Sequence, residues 1–365
     1  MKIDTVQLLQ QLIKCKSITP NDDGVLDIAQ DVLSKLGFAV EIIEFEDKDS
    51  YSVKNLYAKI GNGSNILGFC GHLDVVPAGD LNAWDVPPFS AAIKNNTIIG
   101  RGAEDMKGNI AAFISAIANV LPQFNYANDS LIIMLTLDEE SLAINGIKKL
   151  IKYVVEDKKE KLADCLLGEP SCKSYVGDCI KIGRRGSLNF IIKAKGKQGH
   201  VAYPSLFNNP IAISNNIITK LLAIDFSSSA KGFELSNLEI TGVNTSSDVY
   251  NIVPGNVVIK GNVRFNNSYT LSEVQQKITD SLQGFSEVSI DFLADASSPF
   301  ISDSNSKLYL ALENAIISVT NKKPESNTFG GTSDARFIKD YVNVIEFGLL
   351  EKTLHQANEQ VSLQD

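Results

Sequence analysis

One of the three histidines in the chain follows a segment that is typical of a buried strand. In GFCGHLDVVPAGD (68–80) an apolar run ends at a glycine, and His72 and Asp74 follow. Residues i and i+2 of an extended segment lie on the same face. We therefore expect His72 to bind a metal ion while Asp74 accepts the other ring N–H and fixes the tautomer.

Further acidic residues follow other predicted strands, at the strand ends where ligands gather in open α/β sheets. They are Asp138, Glu139 and Glu140 after SLIIMLTL, Glu169 after ADCLLG, and Asp105 in GRGAEDMKG, together with His355 after VNVIEFGLLEKTL. Carboxylates that converge in this way repel one another unless cations compensate their charge. Two divalent ions supply that charge, and imidazole with carboxylate but no thiolate favours zinc, with cobalt or manganese as substitutes.

Composition limits the class of protein. A chain of 365 residues with 44% hydrophobic residues can build two domains with a large core. A net charge of −9 without a basic block disfavours nucleic acid as a partner. The N-terminus resembles neither a signal peptide nor a membrane span, and five cysteines without a CxxC motif favour free thiols in a reducing compartment. We expect a cytoplasmic protein that acts on a small molecule.

The elements that must position the acidic residues alternate between strands and helices. Apolar runs such as NILGFCG and SLIIMLTL predict buried strands, and IAAFISAIANVL predicts a helix that packs on a sheet. Helices are also predicted over 5–16 and 24–36. This alternation is typical of the α/β class, with a mostly parallel sheet flanked by helices.

The pattern changes after about residue 178. The segment CIKIGRRGSLNFIIKAKGK alternates like an antiparallel strand pair, and the following residues predict two helices and further strands. We predict an inserted α+β lid or dimerisation domain over 179–296, with two helices on a four-stranded antiparallel sheet. Residues 1–178 and 297–365 would form the catalytic domain.

Arginine is rare, which draws attention to the positions that keep it. Only five of the 34 basic residues are arginines, so the planar fork is expected where anions or buried pairs need it. Arg101 is expected to pair with a nearby carboxylate, and Arg185 to be structural. The residues expected to contact substrate carboxylates are Arg184, Arg264 and Arg336, with Ser187, Asn251, Gly330, Gly331 and Thr332 as neutral donors.

Several segments along the chain resemble those of a known enzyme family. They are GHLDVVP, GRGAEDMKG, LDEE, LLGEPS, GRRGSLNF, GKQGHVAYP, NIVPGNV, FGGTSDARF and TLHQANEQV. Together they are similar to the co-catalytic zinc amidohydrolases, which include succinyl-diaminopimelate desuccinylases, acetylornithine deacetylases, carboxypeptidase G and aminoacylases. The resemblance covers nearly the whole chain, and RRGS, GHVAYP and GGTSDAR are most similar to the desuccinylase branch.

The resemblance implies a ligand set for two zinc ions. His72 and Glu169 would hold one ion. Glu140 and His355 would hold the other, and Asp105 would bridge the two. Cobalt would be an acceptable substitute for zinc at such a site.

The resemblance also implies the remaining catalytic roles. Asp105 would precede a cis peptide bond to Met106, and Asp74 would orient His72. Glu139 would be the general base that takes a proton from water between the zinc ions and later delivers it to the leaving amine. His200, contributed by the other subunit of a homodimer, would stabilise the oxyanion. The expected reaction is hydrolysis of N-succinyl-L,L-diaminopimelate to succinate and L,L-diaminopimelate.

Some positions depart from the resembled pattern and leave other functions open. Ala335 stands where glycine is usual, Leu349 where proline is usual, and Glu351 where asparagine is usual. Glu351 would repel an anionic substrate if it faced the pocket, and the chain ends at EQVSLQD, where the family generally adds a helix. The alternatives are therefore an acetylornithine deacetylase or a related dipeptidase or aminoacylase, and an inactive dimeric binding protein.

Overall fold

The computed structural model describes residues 2–48 and 50–365, which fall into two compact units. The first unit runs to Gly183 and also includes Ser302–Asn327 and Ser333–Asp365. The second unit is Arg184–Ile301 together with Thr328–Thr332. Within the described ranges, no helix combines the length and apolar character that crossing a membrane requires.

The regular elements alternate along the first unit and cluster by type in the second. The α-helices are α1 (Thr5–Lys14), α2 (Val25–Lys35), α3 (Gly108–Val120), α4 (Ile147–Lys152), α5 (Pro210–Leu222), α6 (Leu271–Ser281), α7 (Lys307–Thr320) and α8 (Ala335–Ile338). The strands of the two larger sheets are β1 (Ala39–Phe45), β2 (Val53–Ile60), β3 (Asn65–His72), β4 (Asp129–Thr136), β5 (Leu162–Leu167), β6 (Cys179–Lys181), β7 (Gly186–Lys195), β8 (Asn237–Thr245), β9 (Asn256–Phe265), β10 (Val288–Phe292), β11 (Glu325–Asn327) and β12 (Val344–Glu346).

The first unit is built on an eight-stranded sheet in the order β1-β2-β4-β3-β5-β12-β6-β11. Its centre is parallel, since β3 pairs with both β4 and β5, and β5 pairs with β12. β1 and β2 add an antiparallel edge. The predicted α/β class with a mostly parallel sheet is confirmed.

Apolar side chains explain why the central strands lie in the interior. Every residue of β4 after Asp129 is buried, as expected for a strand covered on both faces. Helices α1 and α3 pack their apolar faces into the same core, through residues such as Leu12 and Ile114. The core therefore fixes the carboxyl ends of β3, β4 and β5, where the acidic residues follow.

The second unit contains a four-stranded antiparallel sheet in the order β8-β9-β7-β10. Its core combines alternate side chains of these strands with one face each of α5 and α6, for example Phe190 and Ile259 with Ile217 and Ile278. The predicted arrangement of two helices on four antiparallel strands is confirmed.

The expected antiparallel pair within residues 179–197 was wrong. β6 pairs with β11 and meets β12 in the main sheet, whereas β7 pairs with β9 and β10. All three residues of β6 are buried, so this segment finds both of its neighbours in the returning chain rather than in a hairpin. The two units divide after Gly183 and after Ile301, a few residues beyond the predicted boundaries at 178 and 296, and Thr328–Thr332 also belongs to the second unit.

Candidate metal centre

His72 is the last residue of β3, and its imidazole is buried, with 1% of its surface exposed. Its Nδ1 lies 2.9 Å from the main-chain carbonyl oxygen of Asp74, whereas the nearer carboxylate oxygen of Asp74 is 3.7 Å away. The expected hydrogen bond from the ring to the Asp74 carboxylate was therefore wrong in its acceptor. The backbone carbonyl accepts the Nδ1 proton, which leaves Nε2 available to bind a metal.

The Asp74 carboxylate instead supports the turn that carries the two glutamates after β4. It accepts the main-chain N–H of Glu139 at 3.4 Å and that of Glu140 at 3.1 Å. Burial raises the pKa of Asp74 to about 6, although the nearby His72 charge and the Glu140 N–H act against this. Asp74 thus links the end of β3 to the turn after β4.

The segment around Asp105 departs from helical geometry just before α3. Gly102 has φ +83°, and a Cβ there would lie 2.6 Å from Val75 Cγ1, so only glycine fits this turn. Asp105 has φ −121° and ψ 101°, and its peptide bond to Met106 is cis, as expected. The buried Met106 sulfur accepts the main-chain N–H of His72 at 3.3 Å, so the segment packs directly beneath the histidine.

Asp105 lies between the two histidines of the first unit. Its Oδ1 is 3.0 Å from His72 Nε2, and its Oδ2 is 3.4 Å from His355 Nε2. Burial alone would raise the pKa of Asp105, but hydrogen bonds from His355 and His72 hold it far below its usual value. One carboxylate therefore faces both imidazoles, which is the arrangement a bridging ligand needs.

Glu140 and Glu169 complete the cluster, each beside a different histidine. Glu140 Oε1 lies 3.0 Å from His355 Nε2, and Glu169 Oε1 lies 3.8 Å from His72 Nε2. Two sets of ligand atoms lie within 4.8 Å of one another: His72 with Asp105 and Glu140, and His72 with Glu139 and Glu169. The structure thus brings together all five side chains predicted as metal ligands.

The protonation of the cluster reflects its crowded negative charge. Burial and the charge of Glu169 raise the pKa of Glu139 well above its usual value. Hydrogen bonds to Asp105 and Glu140 raise the pKa of His355 to about 10. Burial lowers the pKa of His72, but the hydrogen bond and charge of Asp105 outweigh it and raise the pKa well above the ordinary value. In the metal-free protein these raised pKa values let protons compensate the negative charge of the carboxylates. Divalent metal ions would compensate the same charge, so this donor set fits them.

Asp138 does not join the cluster, although it belongs to the same acidic run. Its carboxylate accepts a hydrogen bond from the Tyr51 hydroxyl and the main-chain N–H groups of Ile144 and Asn145, at 2.9 and 2.8 Å. It therefore shapes the loop that follows Glu140 instead of offering a metal ligand.

The residues predicted to bind substrate carboxylates are divided between the units. Arg184 lies in the second unit, where its guanidinium donates to the carbonyls of Phe329 at 3.3 Å and Gly331 at 3.0 Å. These contacts hold the segment that contains Gly330 (φ +102°) and Thr332 in place. Arg184 therefore has a structural contact in addition to its predicted role.

Two neighbouring strands of the second unit carry Ser187 and Arg264, which are directly opposite in the register of β7 and β9. The Ser187 hydroxyl accepts a hydrogen bond from Asn262 at 3.1 Å. Arg336, in contrast, lies in α8 of the first unit, and its charge acts on the buried Asp334. Burial nevertheless raises the pKa of Asp334 to about 7. Sequence reasoning missed Asp334, although it stands in the quoted FGGTSDARF segment.

His200 and Asn251 lie together in the second unit. Gly199–His200 pairs with Ile252–Val253 in a short two-stranded sheet. The Asn251 carbonyl accepts the N–H of Val201 at 3.1 Å. The exposed His200 ring accepts the Ala202 N–H at Nδ1, 3.1 Å away, so its Nε2 carries the proton and can donate it.

The positions that depart from the resembled family have local explanations. Glu351 forms an ion pair with the buried Lys181, at 2.6 Å, so its charge is compensated. The N–H of Leu349 donates to Asn109 Oδ1 at 2.8 Å, a contact that proline could not make. Ala335 is fully buried at the start of α8. Glu351 therefore carries no uncompensated charge with which to repel an anionic substrate.

The chain is similar to known proteins in both sequence and structure. Residues 68–365 match the model of peptidase family M20/M25/M40. A succinyl-diaminopimelate desuccinylase of Pelagibacter ubique is 41% identical over 99% of this chain and 94% of its own length. An M20 family metallo-carboxypeptidase of Sulfolobus solfataricus is similar in structure, with a TM-score of 0.82, 19% identity, and coverage of 99% and 95% of the two chains. A Bacillus subtilis protein described as a dinuclear metal binding peptidase from the M20 family has a TM-score of 0.66 and 13% identity, with coverage of 94% and 88%.

Proposed function

The chain belongs to peptidase family M20/M25/M40, and from this premise we propose that it is a metal-dependent hydrolase of N-succinyl-L,L-diaminopimelate. The products are succinate and L,L-diaminopimelate. The observation that carries the proposal is the pair of contacts of Asp105, whose two carboxylate oxygens face His72 and His355. The choice of substrate is supported by a relative named as a succinyl-diaminopimelate desuccinylase, which is 41% identical over nearly the whole chain.

Two divalent ions are assigned to this cluster, with zinc as the native metal and cobalt as a substitute. His72 and Glu169 would hold one ion and Glu140 and His355 the other, with Asp105 between them. When bound, such ions polarise the amide carbonyl and lower the pKa of water. Imidazole and carboxylate without thiolate is the donor set that suits zinc.

Glu139 is assigned as the general base. Its carboxylate takes a proton from the attacking water as the new C–O bond forms, and later delivers it to the amide nitrogen as the C–N bond breaks. Glu139 suits this task because its carboxylate lies beside His72 and Glu169 in the cluster and can accept a proton and then donate it. Asp74 holds the main chain of Glu139 and thereby positions the base.

Binding of the substrate is assigned to the arginine forks and their neutral neighbours. Arg184, Arg264 and Arg336 recognise carboxylates, since each offers a planar pair of N–H donors. The neutral donors are Ser187, Asn251, Gly330, Gly331 and Thr332. His200 donates from Nε2 to the oxyanion and is supplied by the partner in a homodimer formed through the second unit. The dimer and the cytoplasmic location remain predictions.

Comparison of two substrates tests the proposal. With zinc supplied, we expect turnover of N-succinyl-L,L-diaminopimelate to exceed that of N-acetylornithine, because the former carries more carboxylates for the arginines to bind. Preference for N-acetylornithine would replace the proposed activity with that of a deacetylase. Turnover of neither substrate by zinc-loaded protein would favour an inactive binding protein.

A further inference from the structure

The loop that carries His355 has little support of its own. Residues 349–359, named here the His355 loop, contain neither helix nor strand. His355 and Asn358 both have φ +59°, in the left-handed region that disfavours side chains. The His355 side chain is also half exposed (51%), so packing does not hold it in place. Contacts from elsewhere must therefore fix the direction in which this imidazole points.

Glu359, at the end of this loop, reaches the backbone beside Asp105. Its Oε1 accepts the main-chain N–H groups of Glu104 at 3.0 Å and Asp105 at 3.1 Å. Its Oε2 accepts a hydrogen bond from Arg101 Nη1 at 2.6 Å. Residues 100–107 are named here the Asp105 loop, and one buried carboxylate thus joins it to the His355 loop.

Arg101 makes the complementary connection from the Asp105 loop. Its guanidinium donates to the carbonyl of His355 at 3.3 Å and to that of Gln356 at 3.2 Å. The guanidinium carbon also lies 5.3 Å from the centre of the Trp84 ring, in a cation–π contact. Arg101 therefore holds the main chain of the histidine itself, while its charge is compensated by Glu359.

Glu104 provides a third connection between the same two loops. Its carboxylate oxygens accept the main-chain N–H groups of Lys352 and Thr353, each at 2.7 Å. The Thr353 hydroxyl donates to the same carboxylate. Glu104 thus immobilises the backbone just before His355, and it lies next to Asp105 in the chain.

We infer that Arg101, Glu104 and Glu359 are positioning residues that hold the His355 loop against the Asp105 loop. Because Met106 anchors the Asp105 loop beneath His72 independently, they act chiefly on the metal position at His355. The inference rests on the proposed function, because it concerns the metal position at His355. All three side chains are buried, so breaking one contact leaves charged groups without water to replace it. His72 needs no such device, since β3 and its ladder partners fix its backbone.

Metal titration of a Glu359→Gln variant tests this assignment. The amide cannot serve both the two main-chain N–H groups and Arg101, so part of the connection is lost. Zn²⁺ is titrated into chelator-stripped protein against a chromophoric chelator, and two binding constants are fitted. We expect one constant to weaken about 10- to 100-fold and the other to change less than about threefold. The matched control is Glu160→Gln, which alters an ion pair with Lys59 (2.6 Å) that touches neither loop.

A second background separates positioning from general destabilisation. His355→Asn removes the ligand but keeps a residue that tolerates a positive φ. Adding Glu359→Gln to that variant should leave its remaining binding constant unchanged within about threefold. Equal weakening of both constants, no weakening at all, or the same loss in the His355→Asn background would overturn the inference.

A milder pair of variants covers the case in which Glu359→Gln does not fold. Thr353→Val removes the hydroxyl that donates to Glu104, and Thr353→Ser restores it. We expect Thr353→Val to weaken the same constant a few-fold and Thr353→Ser to match the original protein; equal behaviour of the two would contradict the role of Glu104. Failure of the unmodified protein to bind two ions would instead disprove the proposed metal centre.

Discussion

The two halves of the candidate metal centre are positioned by different kinds of structure. His72 ends a central strand of the main sheet and is 1% exposed, whereas His355 lies in a loop with a left-handed backbone and its side chain is 51% exposed. Secondary structure and apolar packing hold the first histidine. Polar contacts between distant segments hold the second. The difference implies that the strand half should respond to changes in the core and the loop half to changes in charge and hydrogen bonding.

Loss of Glu139, the proposed general base, should have the largest effect on activity. Replacing Glu139 by alanine removes the proposed base without removing a proposed ligand, so we expect turnover to fall about 10²- to 10⁴-fold. Metal content should remain two ions per chain, as measured by elemental analysis beside steady-state kinetics. Unchanged turnover would eliminate Glu139 as the base, and loss of metal would make it a ligand.

The strand half should be sensitive to its apolar support. Met106 is fully buried beneath His72, so Met106→Ala should lower the free energy of unfolding by about 2–5 kcal/mol. Met106→Leu, which nearly keeps the volume but loses the sulfur acceptor, should cost less than about 1.5 kcal/mol. Denaturant unfolding of the metal-free proteins measures both. Equal losses for the two variants would show that the sulfur contact, not packing, supports this half.

The loop half should instead depend on pH. In metal-free protein, hydrogen bonds to Asp105 and Glu140 raise the pKa of His355 from 6.5 to about 10. A group whose pKa is raised on folding stabilises the folded state fully below its unfolded pKa, and this contribution disappears as the pH rises through the folded pKa.

The stability difference between the original protein and His355→Asn should therefore be largest near pH 6 and shrink towards pH 10. We expect it to be smaller than the effect of Met106→Ala, since solvent screens a half-exposed imidazole. Denaturant unfolding at a series of pH values with chelator present measures this difference. A difference that does not change with pH would place the stabilisation outside the titration of His355.

The smallest effect on activity should come from the residue that departs most in charge from the resembled family. Glu351→Gln keeps an acceptor for the buried Lys181 but removes its countercharge, so we expect a loss of about 1.5–3 kcal/mol in the free energy of unfolding. The KM for the anionic substrate should change less than about twofold, because the glutamate charge is already compensated. A marked fall in KM would mean that Glu351 repels the substrate, and would place this residue at the substrate-binding site.

Some elements of the fold could be predicted from the sequence, and others could not. The strand that ends at His72 and the buried strand before Glu139 were predictable because apolar runs and turn residues are local signals. The antiparallel pair expected after residue 178 was wrong because the partners of Cys179–Lys181 come from the distant segments Glu325–Asn327 and Val344–Glu346. Burial of that short strand depends on the returning chain, which no local pattern records.

The sequence by itself determined the fold class, because apolar patterns are local signals, and its resemblance to a known family predicted which side chains would bind metal. Only the tertiary structure decided that Asp105 faces both histidines and that a carbonyl, not a carboxylate, orients His72. The same holds for the pairing of Arg101 with Glu359 across 258 residues. Such contacts depend on the relative positions of remote segments, and these are set by how the whole core packs.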